Sequence, residues 1–323
     1  MDEQLDQASR RKVFATALLT DDFEPASALV RADIAARSDR GRILKDNDDH
    51  YLVVRLGRSE ETIQTSLSRR DVPYRFDEYA YAAVVADGIG SEGAGAVAAR
   101  LAVSTLAQLE LRFGQWSMRI DPEVAADIMD RSRWFYDRAH DAVRRWQGAH
   151  QEVGRIAAAV TAVYSAGNDL FVAHVGHCRC YLFRDGMLTQ LTRDQTLRAD
   201  LAATPQPTPV ARALKDVEHI LTSAIGAGGN GLSVIAEHFR LADDDLLLLC
   251  TNGLTDMVSD AHIADALASR RTPQEQCDLL VDAALANGGT DNVTVVLANY
   301  HIPSPREYSN MFGAFVLGLR SPN

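Results

Sequence analysis

The sequence has no surplus of basic charge: 33 Lys and Arg stand against 44 Asp and Glu, a formal net charge of −11 over 323 residues. A nucleic-acid binder needs a cationic face to displace phosphate counterions, so that class is excluded. Long apolar runs are also missing. No stretch approaches the roughly 18 residues that read as a membrane span, and the start, Met1-Asp2-Glu3, lacks the basic-then-apolar order of a secretory leader. Cysteine is scarce. The four cysteines, at 178, 180, 250 and 277, each sit in an apolar segment and form no paired framework, which suits a reducing compartment. These absences predict a cytoplasmic protein with no nucleic-acid and no membrane partner. Internal repeats and low-complexity tracts are lacking too.

What is present is an ordinary globular composition, 46% hydrophobic and 24% charged. Residues 1–37 are expected to form an N-terminal extension, with a helix-like patch at Lys12 to Leu19 and a strand-like one at Leu29 to Ala35. The domain proper is expected over 38–302, and 303–323 form a tail. Tyr51 to Val54 predicts a strand, and the polar stretch from Gly57 to Glu78, holding Arg69-Arg70 and Pro73, an extended hairpin loop or insertion. Tyr79 to Ala86 predicts an apolar strand that runs into Asp87-Gly88-Ile89-Gly90-Ser91. The Ala and Leu content of Ala94 to Leu111 then predicts a long helix.

Val124, Ile128, Phe135, Ala139, Val143 and Trp146 recur at helical spacing, so Pro122 to His150 predicts a second. Ile156 to Leu191 alternates as consecutive strands, with turns at Gly167-Asn168-Asp169 and Arg184-Asp185-Gly186. A loop-rich region from Thr192 to Ile220, with Pro205, Pro207 and Pro209, precedes a further strand pair at Leu232 to Phe239 and Leu246 to Thr251. Thr272-Pro273-Gln274-Glu275 is a capping box whose helix ends at Asn287-Gly288-Gly289, and Val293 to Ala298 closes as a strand. Segregated strands and helices indicate an α+β fold in which antiparallel sheets are covered by helix pairs.

Several apolar strand candidates carry a short oxygen-bearing side chain at one end: Asp48 and Asp49 before Tyr51, Asp87 after Ala86, Asn252 after Thr251, and Asp291 before Val293. Converging, they make the ligand set of a hard cation, Mg²⁺ or Mn²⁺. Asp-Gly and Asn-Gly are also plain turn formers. That reading holds at Asp185-Gly186, flanked by strand pattern on both sides. It is weaker at Asp87-Gly88 and Asn252-Gly253, which lead into helices. Cys178 and Arg184 have the Cys-x5-Arg spacing of thiolate phosphatases, but the intervening Arg179-Cys180-Tyr181-Leu182-Phe183 alternates like a strand and offers no small-residue phosphate cradle. His174 is expected in the core or on the sheet surface.

Asn47-Asp48-Asp49, Val85-Ala86-Asp87-Gly88-Ile89-Gly90, Val175-Gly176-His177-Cys178-Arg179, Leu191-Thr192-Arg193-Asp194, Leu221-Thr222-Ser223-Ala224-Ile225-Gly226, Cys250-Thr251-Asn252-Gly253-Leu254-Thr255-Asp256 and Gly288-Gly289-Thr290-Asp291-Asn292 follow one another in order. Together they resemble the motifs of the PPM-type (type 2C) metal-dependent protein phosphatases, as a divergent, bacterial-like member. The resemblance implies two packed antiparallel β-sheets flanked by helix pairs, a four-layer α-β-β-α sandwich. It also implies hydrolysis of phosphoserine and phosphothreonine on proteins by a water bridging two Mn²⁺ or Mg²⁺ ions.

By the same resemblance Asp87 bridges both ions with help from the Gly88 carbonyl. Asp49, with Asp48, serves one ion, and Asn252 and Asp291 serve the other. Asp49, Asp87 and Asp291 then carry the catalysis, and the 192–220 region is the family's variable flap. Phosphorylated proteins, a serine/threonine kinase or its substrates, are the implied partners.

Three positions depart from the pattern. Asn252 stands where the family has a metal-binding aspartate, which removes a negative charge from one ion's ligands. His177 stands where an aspartate serves a third, weaker ion, so that ion is expected to be weak or absent. The imidazole serves as a softer Mn²⁺ ligand, as a proton donor to the leaving alkoxide, or as a space-filler in a strand turn, and the residue type alone leaves these open. Leu44 stands where a phosphate-gripping arginine is expected; Arg42, two residues away on the same strand, shares its face and is the substitute candidate. These departures raise an alternative: a catalytically weak or inactive homologue that binds phosphoproteins or a kinase as a regulatory module.

Overall fold

A computed structural model describes residues 30–67, 72, 74–91, 93–117, 120–202, 220–228 and 231–303. The patch at Lys12 to Leu19, Arg69-Arg70, Pro73, and the prolines at 205, 207 and 209 lie outside the described residues. Strands whose residues are apolar at nearly every position, rather than at alternate ones, set the architecture, because such strands must be covered on both faces. β9 (Leu246–Cys250) is buried at all five positions. Its Leu247 and Leu249 turn inward, and its Leu246, Leu248 and Cys250 turn outward. β10 (Val293–His301) divides in the same way, with Val296, Ala298 and Tyr300 inward and Val293, Val295 and Leu297 outward.

Two antiparallel sheets result. One orders β1 (Arg31–Asp39), β10, β9, β6 (Arg179–Arg184) and β7 (Met187–Gln190). The other orders β2 (His50–Glu61), β3 (Arg75–Ile89), β4 (Ala157–Ala166), β5 (Asp169–Val175) and β8 (Ile235–Arg240). Between them lie Ala83, Val85, Val163, Leu170 and Val172 from the second sheet and the inward residues of β9 and β10 from the first. A buried hydrogen bond of 2.8 Å between Ser165 Oγ and Tyr300 Oη crosses this layer. α1 (Gly95–Phe113) and α2 (Pro122–Ala149) cover the outer face of the second sheet through Ala98, Ala102, Leu106, Phe135, Ala139 and Val143. α5 (Asp260–Ala268) and α6 (Pro273–Ala286) cover the other outer face through Ile263, Leu267, Cys277, Leu280 and Val281. Two shorter helices, α3 (Leu197–Ala202) and α4 (Asn252–Thr255), lie in connections.

Local chemistry fixes the helix starts. The Asp121 side chain accepts from the backbone N–H groups of Glu123 and Val124 ahead of α2, and Pro122 occupies its first turn. The capping box Thr272/Glu275 forms in full. The four-layer sandwich therefore matches the expected fold class.

Several boundaries differ. β1 takes up the end of the 1–37 segment that the sequence set apart: its nine residues pair with β10 from Arg31↔His301 to Asp39↔Val293. The hairpin is longer than its apolar segment, since β2 runs through Glu61 and β3 starts at Arg75. The ladder tolerates polar side chains there because that part is exposed on β2. β8 and β9, expected as a pair, belong to different sheets; β8 pairs with β5, and β9 with β10 and β6. α5, which nine residues and a Ser259 cap define, carried no marked sequence signal.

Leu249 is 1% exposed in the layer between the sheets, so Leu249→Ala should lower the unfolding free energy by about 2–5 kcal/mol. Thr272→Ala, which removes only the cap, should cost about 1 kcal/mol. Urea denaturation of both variants checks the ordering, and equal losses would contradict the assignment of Leu249 to a closed apolar layer.

Candidate metal centre

The ends of four strands meet at one edge of the sandwich. In the second sheet His50 pairs with Ala86, which sets Asp48 and Asp49, just before β2, against Asp87 near the end of β3. In the first sheet Cys250 pairs with Val295, which sets Thr251 and Asn252 against the residues leading into β10, Asp291 and Asn292. Close backbone approach is needed for this. A Cβ on Gly88 would lie 2.7 Å from the Asp48 carbonyl oxygen and would collide with the Gly95 carbonyl, and one on Gly253 would collide with the Asn292 carbonyl.

Asp49 joins the two sheets. It is buried, and its Oδ2 accepts from the hydroxyls of Thr251 (2.8 Å) and Thr294 (2.7 Å), leaving Oδ1 outside these two bonds. Burial nevertheless pushes its pKa up to about 7, with Asp291 and Asp48 adding repulsion. Asp87 is pushed well above the usual carboxylate range, by burial first and then by Asp49, Asp291, Asp48 and Asp256. Asp48 is raised by burial as well. His177, in the turn between β5 and β6, places Nε2 3.6 Å from Asp87 Oδ2.

On the other sheet the Asn252 amide donates to Asp256 Oδ2 at 3.1 Å and reaches Asp291 Oδ2 at 3.5 Å. Asn292 organises the segment before β2. Its Oδ1 accepts from the Asp48 N–H at 2.8 Å, and its Nδ2 donates to the carbonyls of Arg40 and Asp46.

Asp48, Asp87, Gly88, Asn252, Asp291 and His177 all line one open cleft of about 830 Å³. Two of its donors, Asp48 Oδ1 and Asn252 Oδ1, are buried without a hydrogen-bond partner. Buried acceptors rarely go unpaired. Carboxylates driven toward protonation by burial and then by one another, together with orphaned oxygen acceptors, fit a hard divalent cation. The structure thus brings together every sequence-predicted metal-site residue, with Asp49 behind the lining.

Arg42 is a correction. It lies in a bend between β1 and β2 and not on a strand, is exposed, and is tied by its backbone N–H to the Gly289 carbonyl at 2.7 Å. Arg42 and Leu44 therefore share no strand face, and Leu44 and Lys45 line the cleft. Asp87 and Gly88 lie within β3 and not beyond its end.

The sequence assigned no role to Thr251, Thr294, Asn292 or Asp256. Only Asp256 had a readable signal, standing four residues after Asn252 in a helical turn. Cys178 is buried with its thiol pushed up by burial, and Arg184 is held by Asp245 at 2.6–2.7 Å, so neither serves a thiolate loop. His174 is a core residue between Thr161 Oγ1 and the Arg193 carbonyl, its pKa lowered to about 4 by burial.

The family model described as protein phosphatase 2C matches residues 60–287. The serine/threonine protein phosphatase PstP of Mycobacterium tuberculosis is 30% identical over 279 residues, covering 82% of this chain and 44% of that protein, so the chain spans under half the length of that relative. The serine/threonine phosphatase stp of Listeria monocytogenes is 27% identical over 261 residues, covering 81% of this chain and 93% of that one. Among solved structures, the catalytic domain of PstP in complex with two manganese ions superposes with a TM-score of 0.63 at 28% identity, covering 84% of this chain and 99% of that one. With the sandwich and the oxygen cluster at its edge, these matches show that the chain belongs to the protein phosphatase 2C family.

Proposed function

We propose that the chain is a metal-dependent protein serine/threonine phosphatase acting on phosphoserine and phosphothreonine. The observation that carries this is the convergence, from both sheets onto one cleft, of Asp48, Asp87, Asp291 and Asn252 with two orphaned oxygens. The relatives are named as serine/threonine phosphatases, and one of them was crystallised with two manganese ions. Two Mn²⁺ or Mg²⁺ ions, when bound, would supply an activated water and offset the charge on the phosphoryl oxygens.

In this reading Asp87 and the Gly88 carbonyl would help to hold both ions, Asp48 and Asp49 would serve one, and Asn252 and Asp291 would serve the other. Thr251 and Thr294 hold Asp49 in place, Asn292 fixes the Asp48 backbone, and His177 faces Asp87 where a third ion would bind only weakly. Substrates are phosphoproteins, a serine/threonine kinase or its targets among them. Four buried free cysteines support a reducing, cytoplasmic setting, and no helix among the described residues is long and apolar enough to cross a membrane.

A second reading, a weak or inactive phosphoprotein- or kinase-binding homologue, is favoured by Asn252. Its amide satisfies Asp256 and reaches Asp291 without any cation.

Hydrolysis of para-nitrophenyl phosphate or a phosphothreonine peptide should require added Mn²⁺ or Mg²⁺, stop with chelator, and survive thiol alkylation, since all four cysteines are buried. Asp87→Asn should lose nearly all of it. Turnover that persists in chelator and dies on alkylation would refute the metal mechanism.

Stability should respond to pH as the carboxylates dictate. The folded pKa of Asp49, about 7, lies above its unfolded value of about 3.9, so between them the folded state binds more protons. Stability of the metal-free protein therefore falls as pH rises from about 4 to 7. Saturating Mn²⁺ should raise Tm more at pH 7.5 than at pH 5. A Tm that ignores both pH and Mn²⁺ would remove the cation site.

Asn252→Asp should tighten one metal in calorimetry and raise activity at limiting Mn²⁺, with less gain at saturation, because a carboxylate binds a hard ion more strongly than an amide. An unchanged titration with unchanged turnover would exclude residue 252 as a ligand.

A further inference from the structure

Part of the lining of the acidic cleft is apolar. Ile43 is 70% exposed, Leu44 39% and Ile89 38%, and Leu44 and Ile89 line the cleft beside Asp87 and Asp291. They come from two elements: Ile43 and Leu44 from the bend before β2, Ile89 from the last position of β3. Ile89 follows Asp87 by two residues on one strand, so the two side chains share a face, about 7 Å apart along the chain. Leu44 precedes Asp48 by four. None of the three belongs to the apolar clusters that hold the sandwich together. The fold thus leaves three large hydrophobic side chains in water, two of them in the lining beside its carboxylates, where solvation favours polar groups.

The cationic side of the cleft is equally limited. Among the described residues Lys45 is the one lysine or arginine in its lining, next to Leu44. Asp46, Asp48, Asp87 and Asp291 share that lining, and Asp46, which serves neither ion, still repels an acidic peptide when the ions are bound.

We propose that this cleft selects phosphoserine or phosphothreonine peptides with a large aliphatic residue within two positions of the phosphorylated one. Leu44 and Ile89 cover that side chain, and Lys45 holds a phosphate oxygen. The inference rests on the phosphatase reading and adds its substrate class. An extended peptide advances about 3.3 Å per residue, so a phosphate held at Asp87 sets the first or second neighbour against Ile89. A hydrophobic contact of this kind discriminates by roughly tenfold or more.

The test uses the full chain with Mn²⁺ and a phosphothreonine peptide series in which the first and second flanking positions carry Leu, Ser, Lys or Asp, with para-nitrophenyl phosphate as reference. Leu peptides should exceed Ser peptides about tenfold in kcat/KM, with Asp peptides lowest. Ile89→Ser and Leu44→Ser should bring the Leu/Ser ratio toward one. Lys45→Ala should raise KM for every peptide more than it lowers kcat. Equal kcat/KM across the series, or a preference for Lys, with para-nitrophenyl phosphate still hydrolysed, would overturn the selectivity and leave the phosphatase reading intact. If nothing is hydrolysed, the phosphatase reading fails. Fluorescence anisotropy of the same labelled peptides then decides the selectivity alone, with a Leu/Ser ratio of Kd near one overturning it.

Discussion

Two threonine hydroxyls on one sheet hold the carboxylate of Asp49 at the edge of the other, and the site depends on this contact. Without it, the segment before β2 would be tied to the first sheet by the Asn292 bonds alone at this edge, and the carboxylate of Asp49 would have no partner on the β9 and β10 ends. The contact costs free energy to maintain. It keeps a carboxylate in a dry place among other carboxylates, where the charged form is disfavoured. The three apolar layers on either side of and between the sheets offset this, since each fully buried Leu or Val contributes about 1.5–3 kcal/mol.

The glycines work to the same end by absence. Gly88 against Gly95 and Gly253 against Asn292 let backbones pass at distances that no side chain permits. Carbonyl and carboxylate oxygens can therefore crowd into a small volume. The neutral Asn252 relieves part of the repulsion by donating to Asp256 Oδ2, so the cluster is less strained without a cation than a set of five carboxylates would be. The same substitution weakens its claim on one.

Much of this was legible because doubly buried strands write themselves plainly. The run Leu246 to Cys250 admits few other readings, and Asp87 and Asp291 stand beside equally apolar segments. The ligand candidates were visible as oxygen-bearing residues at such boundaries. The strand expected at Arg42 is a bend, and a bend has no two-residue periodicity by which Arg42 and Leu44 would share a face. Thr251 and Thr294 were invisible as anchors since a threonine in a strand is ordinary and its partner lies more than 200 residues away. The placement of β8 and β9 in different sheets was hidden for the same reason: pairing partners are non-local, and sequence adjacency suggested a hairpin. β1 escaped the domain boundary because it is closed from the far end of the chain, by β10.

The separation between Asp49 and Thr294, 245 residues, has a bearing on biosynthesis. The first sheet's central strands, β9 and β10, leave the ribosome well after the carboxylates they meet. A nascent chain therefore carries Asp48, Asp49 and Asp87 on a half-built sandwich until those strands emerge. Contacts of such high order form late, after the intervening loops have been closed. The oxygen cluster thus comes into being only once β10 has been made, and no product that stops before β10 can present it.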